Sequence, residues 1–202
     1  KGDEEKREIV EHISASVKNM DRIISSLLLF AKSPQPSRQK CDLNELLKNL
    51  FEDPSIILIP SEINTVCDWG EDIIANGDAG LLKQVFVNLI RNSIQAMPKG
   101  GNLKITTQKN SQLEKSQDQS DYYRQFITVT VADQGGGISE ENLANIFNPF
   151  FTTKDHGTGL GLSISHNIIK AHQGTIDVEN EAGKGVCFIL KIPYWDHALD
   201  KK

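Results

Sequence analysis

The chain is poor in cysteine, has no long apolar run and carries no excess of positive charge, and each shortage removes a class of function. Its three cysteines, Cys41, Cys67 and Cys187, are odd in number and far apart, with no Cys-x-x-Cys pair and no histidines beside them. That argues against a disulfide framework or a zinc site and fits reduced thiols in a cytoplasmic protein. No stretch approaches the roughly 20 apolar residues needed to cross a bilayer, so no membrane segment is expected in this chain. A formal net charge of -5 gives no general attraction for nucleic acid or anionic lipid, and neither is expected as a partner. There is no internal repeat. The charged start at Lys1 is unlike a signal peptide and reads as a cut made inside a longer protein.

What remains is a soluble chain of 202 residues, enough for one well-packed domain plus an appended element. From Lys6 to Lys32 apolar residues recur at three- and four-residue steps (Ile9, Ile13, Val17, Met20, Ile24, Leu27, Ala31), which predicts a long amphipathic helix that needs a partner helix to cover its stripe. Pro34 and Pro36 end it and open a linker, 34–41. Asp42 caps a short helix from Leu43 to Phe51. Short strands are expected around Ser55–Ile59, Ile63–Cys67 and Ile73–Ala75, then a helix from Ala79 to Met97 stopped by Pro98. Strands at Asn102–Gln108 and Gln125–Ala132 flank a polar stretch, Lys109 to Asp121, read as a long flexible connection. A helix from Leu160 to His172 and strands at Thr175–Glu179 and Val186–Ile192 complete the pattern, with Gly183-Lys-Gly185 turning the last hairpin. Helices mixed with strands, without a repeating β-α-β unit, predict an α+β fold: a two-layer α/β sandwich with a mixed sheet.

Four blocks between Asn88 and Gly161 carry the chemistry. On the helix over Ala79–Met97, Gln84, Asn88, Asn92 and Gln95 form a neutral polar stripe. A solvent-facing side normally favours Lys and Glu, and asparagine costs a helix roughly half a kcal/mol relative to alanine. Asn88 and Asn92, at i and i+4, can instead aim carbonyl oxygens at one hard cation such as Mg2+. Asp133 ends the apolar strand beginning at Phe126. A carboxylate only accepts, so it can bond the exocyclic amine of adenine and repel the guanine carbonyl. Gly135 and Gly137, before Ile138, let backbone approach a flat base. Gly157-Thr158-Gly159-Leu160-Gly161-Leu162 opens a helix, whose free N–H groups and dipole suit phosphates, with Thr158 as cap. Lys154 supplies a local positive charge. Of Phe147, Phe150 and Phe151, some are placed to anchor a cover whose moving part is Thr152 to Gly159. Each block alone also fits a bland reading: a wet helix face, an Asp-Gly turn, a glycine loop, core aromatics. Their joint order is what points to a nucleotide.

In that order the blocks resemble the N, G1, F and G2 boxes of the ATP-binding domain of two-component sensor histidine kinases, over about Asp42 to Pro193. Asn-Ser-Ile-Gln-Ala-Met97 is most similar to the nitrogen-regulation type. The resemblance implies a Bergerat-type sandwich of the GHKL superfamily, with ATP and Mg2+ as ligands and phosphoryl transfer to histidine as activity. On this chain it makes Asn92 the metal ligand with Asn88 as helper, and Asp133 the adenine reader. Gly135, Gly137 and Ile138 would line the base, and Gly157 to Leu162 would hold phosphates under a lid containing Lys154. It also implies that 1–33 is the second helix of a dimerisation hairpin, 34–41 a linker, 42–193 the catalytic domain and 194–202 a tail. A homodimer formed through the first helix and a response regulator receiver domain are the partners it suggests.

Three departures qualify it. The phospho-accepting histidine of the family stands in a His-Glu-x-x-Asn-Pro-like box, and none of the five histidines does; His12 reads as an ordinary helix residue. His156 is placed to border the phosphates; His166, His172 and His197 read as structural or exposed. Gln95 and Val186 replace residues that in relatives contact phosphate and the base or its water. The expected function is therefore the ATP-binding catalytic part of a protein-histidine kinase whose acceptor histidine lies outside this chain. The alternatives are a GHKL ATPase of the gyrase, chaperone and MutL type, disfavoured because Asn88 cannot accept a proton as a carboxylate would, and a non-catalytic ATP-binding module.

Overall fold

The structure is a computed structural model. It describes residues 34–115, 121–154, 157–181 and 183–196, together with Arg7, Ile9, Val10, Ile13, Ser14, Val17, Met20 and Ile24. Those eight are helical and exposed, in line with the expected amphipathic helix. Leu27 and Ala31 of that stripe lie outside the described residues, as do His12, His156, His197 and the end of the expected tail.

Strand β1 (Gln39–Asp42) leads into helix α1 (Leu43–Glu52), β2 (Ile63–Trp69), β3 (Ile74–Gly77) and helix α2 (Ala79–Ala96). The long strands β4 (Gly101–Lys115) and β5 (Asp121–Asp133) follow, then a one-turn helix α3 (Glu140–Leu143), helix α4 (Gly161–Ala171), β6 (Thr175–Glu181) and β7 (Gly185–Pro193). Five strands form one sheet in the order β2-β4-β5-β7-β6, while β1 and β3 pair separately. The pair β2–β4 is parallel and the other three pairs are antiparallel, so the sheet is mixed. Helices α1, α2 and α4 cover one face, which gives the expected two-layer sandwich. Strand alternation shows which face: Ile127, Val129, Val131 and Asp133 of β5 are buried, as are Val186, Phe188, Leu190 and Ile192 of β7, while Thr128 and Thr130 between them are half-exposed. Leu82, Phe86, Leu89 and Ile90 of α2 and Ile164 and Ile168 of α4 fill the space beneath. Asp133 is thus the last inward-facing position of β5, and the alternation of its own strand brings its carboxylate to the helix side.

Capping chemistry sets the helices that matter. The Asp42 side chain accepts from Glu45 N to start α1, and Asp78 accepts from Leu81 N to start α2. Pro98 prevents α2 from continuing. The buried His172 ties the two site helices at their far ends, accepting from Asp78 N at Nε2 (2.9 Å) and bonding Ile168 O through Nδ1 (2.8 Å).

Four local expectations are corrected. Residues 55–59 form turns and irregular chain instead of a strand, because the Asp53 side chain takes both Ser55 N and Ser55 Oγ and its carbonyl accepts from Ile56 N and Ile57 N. Strand β1 occupies the end of the segment read as linker, paired with β3 from Gln39↔Gly77 to Asp42↔Ile74. The polar stretch after Gln108 is an antiparallel ribbon: β4 runs to Lys115 and β5 restarts at Asp121, with Leu113 opposite Tyr123. No described side chain of this ribbon from Gln108 to Leu113 or from Tyr123 to Phe126 is buried, so it shows no two-residue hydrophobic period and composition gave no strand signal. Helix α3 was not anticipated.

Candidate functional site

At the end of β5, Asp133 is 7% exposed and its Oδ1 accepts from Gly135 N at 3.0 Å. The loop that follows lies against the C-terminal turn of α2. A Cβ on Gly135 would stand 2.7 Å from both the Cβ and the carbonyl oxygen of Ala96, so only glycine fits there. The far side of the loop is held by the last hairpin. Ile138 N donates to Asn180 Oδ1 at 2.7 Å, Asn180 Nδ2 donates to Ile138 O at 2.8 Å, and Gly183 N donates to Gly136 O at 2.9 Å. Gly185, at φ +124°, would drive a Cβ to 1.9 Å from the Asp133 carbonyl oxygen. Asn180 and Gly185 were missed as site residues: one follows the expected strand Thr175–Glu179 and the other reads as a turn glycine. Their contacts cross tens of residues and leave no local signal.

The polar stripe of α2 divides by partner. Gln84 is exposed. Asn88 donates from Nδ2 to Ser165 Oγ at 2.9 Å, and a Cβ on Gly161 would fall 2.2 Å from its Oδ1, so its side chain is seated against α4. Asn92 Oδ1 accepts from Lys154 Nζ at 3.0 Å, and Gln95 Oε1 accepts from the same ammonium at 2.6 Å. Burial pushes the Lys154 amine below the ordinary lysine range, and the nearby negative charge of Asp133 partly opposes this. A cation of the chain therefore sits on the oxygens of Asn92 and Gln95, within electrostatic reach of Asp133. The hydroxyl of Ser93, next to Asn92, is buried without a partner among the described residues.

Helix α4 begins at Gly161 after Leu160, which brings no side-chain cap. Thr158, expected to cap it, accepts from Leu160 N at 3.4 Å instead, so the first-turn N–H groups keep their outward polarity without a capping oxygen. Gly159, at φ +67°, lies against the backbone of Phe150, where a Cβ would come within 2.2 Å of the carbonyl carbon. Gly157 N donates to Lys154 O at 3.1 Å, and Lys154 N donates to Thr152 Oγ1 at 3.1 Å, closing a small turn that aims Lys154 back at α2. Phe147 and Phe151 pack on the core, Phe147 with its ring centroid 5.4 Å from that of His166, whereas Phe150 is exposed. Two of the expected aromatics thus pack on the core, which is as many as the expectation required.

Asn92, Asp133, Lys154 and the start of α4 are thus linked into one neighbourhood, through the Lys154 bonds to α2, its electrostatic interaction with Asp133 and Asn88 seated against Gly161. Among the described residues no three His, Cys, Asp or Glu side chains gather as a metal cluster. No helix there is long and apolar enough to cross a membrane.

Residues 77–196 match the family described as histidine kinase-, DNA gyrase B- and HSP90-like ATPase. Sporulation kinase C of Bacillus subtilis is 36% identical over 191 residues, covering 94% of this chain and 42% of the relative. The chain therefore spans less than half the length of that kinase. The nucleotide-free catalytic domain of histidine kinase ThkA superposes with a TM-score of 0.61 at 38% identity, covering 78% of this chain and 95% of that one. ThkA in complex with the response regulator TrrA gives 0.67 at 32% identity, covering 94% and 51%. With its sandwich and its site, the chain belongs to the histidine kinase-, DNA gyrase B- and HSP90-like ATPase family, as an ATP-binding catalytic domain of the sensor histidine kinase type.

Proposed function

We propose that the chain binds Mg·ATP between Asn92, Asp133 and the start of α4 and presents the γ-phosphoryl group to a histidine that is none of its own five. The observation that carries this reading is the Lys154 ammonium on the amide oxygens of Asn92 and Gln95. A site whose neutral oxygens already hold a cation beside a buried carboxylate fits a metal-bound polyphosphate and its base. In this reading Asp133 accepts from the adenine amine, while Gly135, Gly137 and Ile138 lie along the base. Gly157, Thr158, Gly159, Leu160, Gly161 and Leu162 bring backbone N–H groups to the phosphates.

Asn92 would hold Mg2+, with Asn88 as helper on the same face. Neutral amides suit an ion that takes most of its oxygens from phosphate and water. When bound, the ion would neutralise charge on the transferring group. Lys154 stays near the phosphates and adds a second positive charge. The bond from phosphorus to the acceptor imidazole forms as the bond to the β,γ-bridging oxygen breaks, and ADP leaves. The protein contributes position and charge, not a nucleophile. Asn88 is engaged with Ser165 and has no carboxylate to activate water, which supports transfer over steady hydrolysis.

In this scheme 42–193 is the catalytic domain and 1–33 the second helix of a dimerisation hairpin, joined by 34–41, with 194–202 as tail. The exposed stripe at Ile9, Ile13, Val17, Met20 and Ile24 favours a homodimer. A receiver domain is the downstream partner, by likeness to ThkA with TrrA. The test is incubation with γ-labelled ATP and Mg2+, alone and with a histidine-box hairpin from a related kinase. Calorimetry should show Mg·ATP binding, with acid-labile label only on the added hairpin. Label on the chain's own histidines, or steady phosphate release surviving Asn88→Ala, would overturn the proposal.

A further inference from the structure

We infer that Asn180 is the positioning residue of the base-facing loop: its carboxamide holds Ile138 by both backbone groups and so sets where Gly135, Gly136 and Gly137 stand. The inference rests on the reading of that loop as the adenine site. Three consecutive glycines carry more backbone freedom than any other tripeptide and have no side chains with which to anchor themselves. A loop of this composition needs holding from outside if it is to present one shape to a flat base. The near end is held by Asp133 Oδ1 accepting from Gly135 N. The far end is held by Asn180, which accepts from Ile138 N at 2.7 Å and donates to Ile138 O at 2.8 Å.

A carboxamide carries a donor and an acceptor side by side, as a backbone amide does, so Asn180 acts as an extra strand rung for Ile138. Gly183 N adds a third hold by donating to Gly136 O.

The simpler role for an asparagine beside a hairpin turn is to close that turn. Here the turn is closed without it, by Lys184 N donating to Glu181 O at 2.9 Å. Both Asn180 bonds instead reach a residue 42 positions away in the nucleotide loop. The hairpin of β6 and β7 thereby becomes a splint, and a residue that touches no substrate controls how well the base is read.

The experiment measures Mg·ATP, Mg·GTP and Mg·tripolyphosphate binding by calorimetry for wild type, Asn180→Leu, Asn180→Asp and Asp133→Asn, together with hydrogen exchange at the Ile138 amide. Wild type should show slow Ile138 exchange. Asn180→Leu should speed that exchange and weaken ATP about tenfold or more, leaving tripolyphosphate within about twofold, so that the preference for ATP over GTP falls. Asn180→Asp keeps the acceptor and loses the donor, so it should lie between. ATP affinity unchanged in Asn180→Leu overturns the inference, as does equal loss for ATP and tripolyphosphate, or an Ile138 amide that already exchanges freely in wild type. Should Asn180→Leu fail to fold, Asn180→Asp and the wild-type exchange rate decide. Unchanged ATP binding in Asp133→Asn would sink the reading of the loop itself. Loss in Asp133→Asn with none in the Asn180 variants sinks only the splint.

Discussion

Lys154 and Asn92, 62 residues apart in the chain, meet through a 3.0 Å hydrogen bond from the ammonium to Oδ1. The same ammonium bonds Gln95 one turn further along α2. Relatives with a lysine at the position of Gln95 would carry a fixed charge on that helix. In this chain Lys154 of the cover reaches α2 instead and bonds Gln95 together with Asn92. Lys154 also shows that the Asn92 oxygen accepts a positive partner through a charge-assisted contact.

The metal role proposed for Asn92 yields the first prediction. Asn92→Ala should remove most of the affinity that Mg2+ adds to ATP, about tenfold or more, which corresponds to one charge-assisted contact of roughly 1.5 kcal/mol. Affinity for ATP in excess chelator should change by less than about twofold, since adenine and backbone contacts remain. Titrations with and without Mg2+ check this. Equal loss in both conditions would assign Asn92 to packing.

A second prediction concerns the backbone behind Asp133. Gly185→Ala places a methyl 1.9 Å from the Asp133 carbonyl oxygen at φ +124°. Overpacking and backbone strain together should cost about 3 kcal/mol, lowering the melting temperature by roughly 6 to 12 °C for a domain of this size. Gly183→Ala, two residues away at φ +79° with open space around it, should cost only the left-handed backbone penalty of about 1 kcal/mol. Comparable melting temperatures for the two variants would contradict the close approach.

That pair also shows what the sequence could reveal. Helices α1, α2 and α4 are legible to within a residue or two, because Asp42, Asp78 and Pro98 act on their immediate neighbours. Asn92, Asp133 and the glycine-led start of α4 are legible because each needs an unusual residue at a fixed place in its own element. Asn180 is not, since its value lies in a loop far along the chain, and an asparagine on a strand otherwise reads as surface. Gly183 and Gly185 look alike as turn glycines, yet only the folded chain puts Asp133 against one of them. The ribbon beyond Gln108 was lost for a related reason: strands that bury neither face are held by cross-strand bonds, which composition does not record. Pro54 and Pro60 did bracket the false strand near Ser55, and with the Asp53 side chain they outweigh its run of isoleucines.

The last prediction comes from the buried His172, which joins the far ends of α2 and α4. A backbone N–H can only donate, so Asp78 N fixes Nε2 as an acceptor and leaves the proton on Nδ1, facing Ile168 O. The folded protein needs the neutral ring. Burial lowers its pKa and the Arg38 charge lowers it further; the Ile168 carbonyl and Asp78 push the other way and do not win. Its folded value thus lies below that of the unfolded chain, near 6.5. Above about pH 6.5 neither state takes up the proton and the stabilisation is complete. As pH falls towards the depressed folded value only the unfolded state is protonated, and stability declines by at most about 1.4 kcal/mol per pH unit. His172→Leu should be less stable at pH 7.5 by about 1 to 3 kcal/mol, because the Asp78 N–H loses its acceptor. The gap between wild type and variant should then narrow by roughly 1 kcal/mol between pH 7.5 and 5.5, as only wild type carries this proton linkage. Urea unfolding at both pH values measures it. A gap that stays constant would mean that the ring takes up its proton alike in both states, and one that widens that the fold holds it protonated; in either case the ring would not be the acceptor that joins α2 to α4.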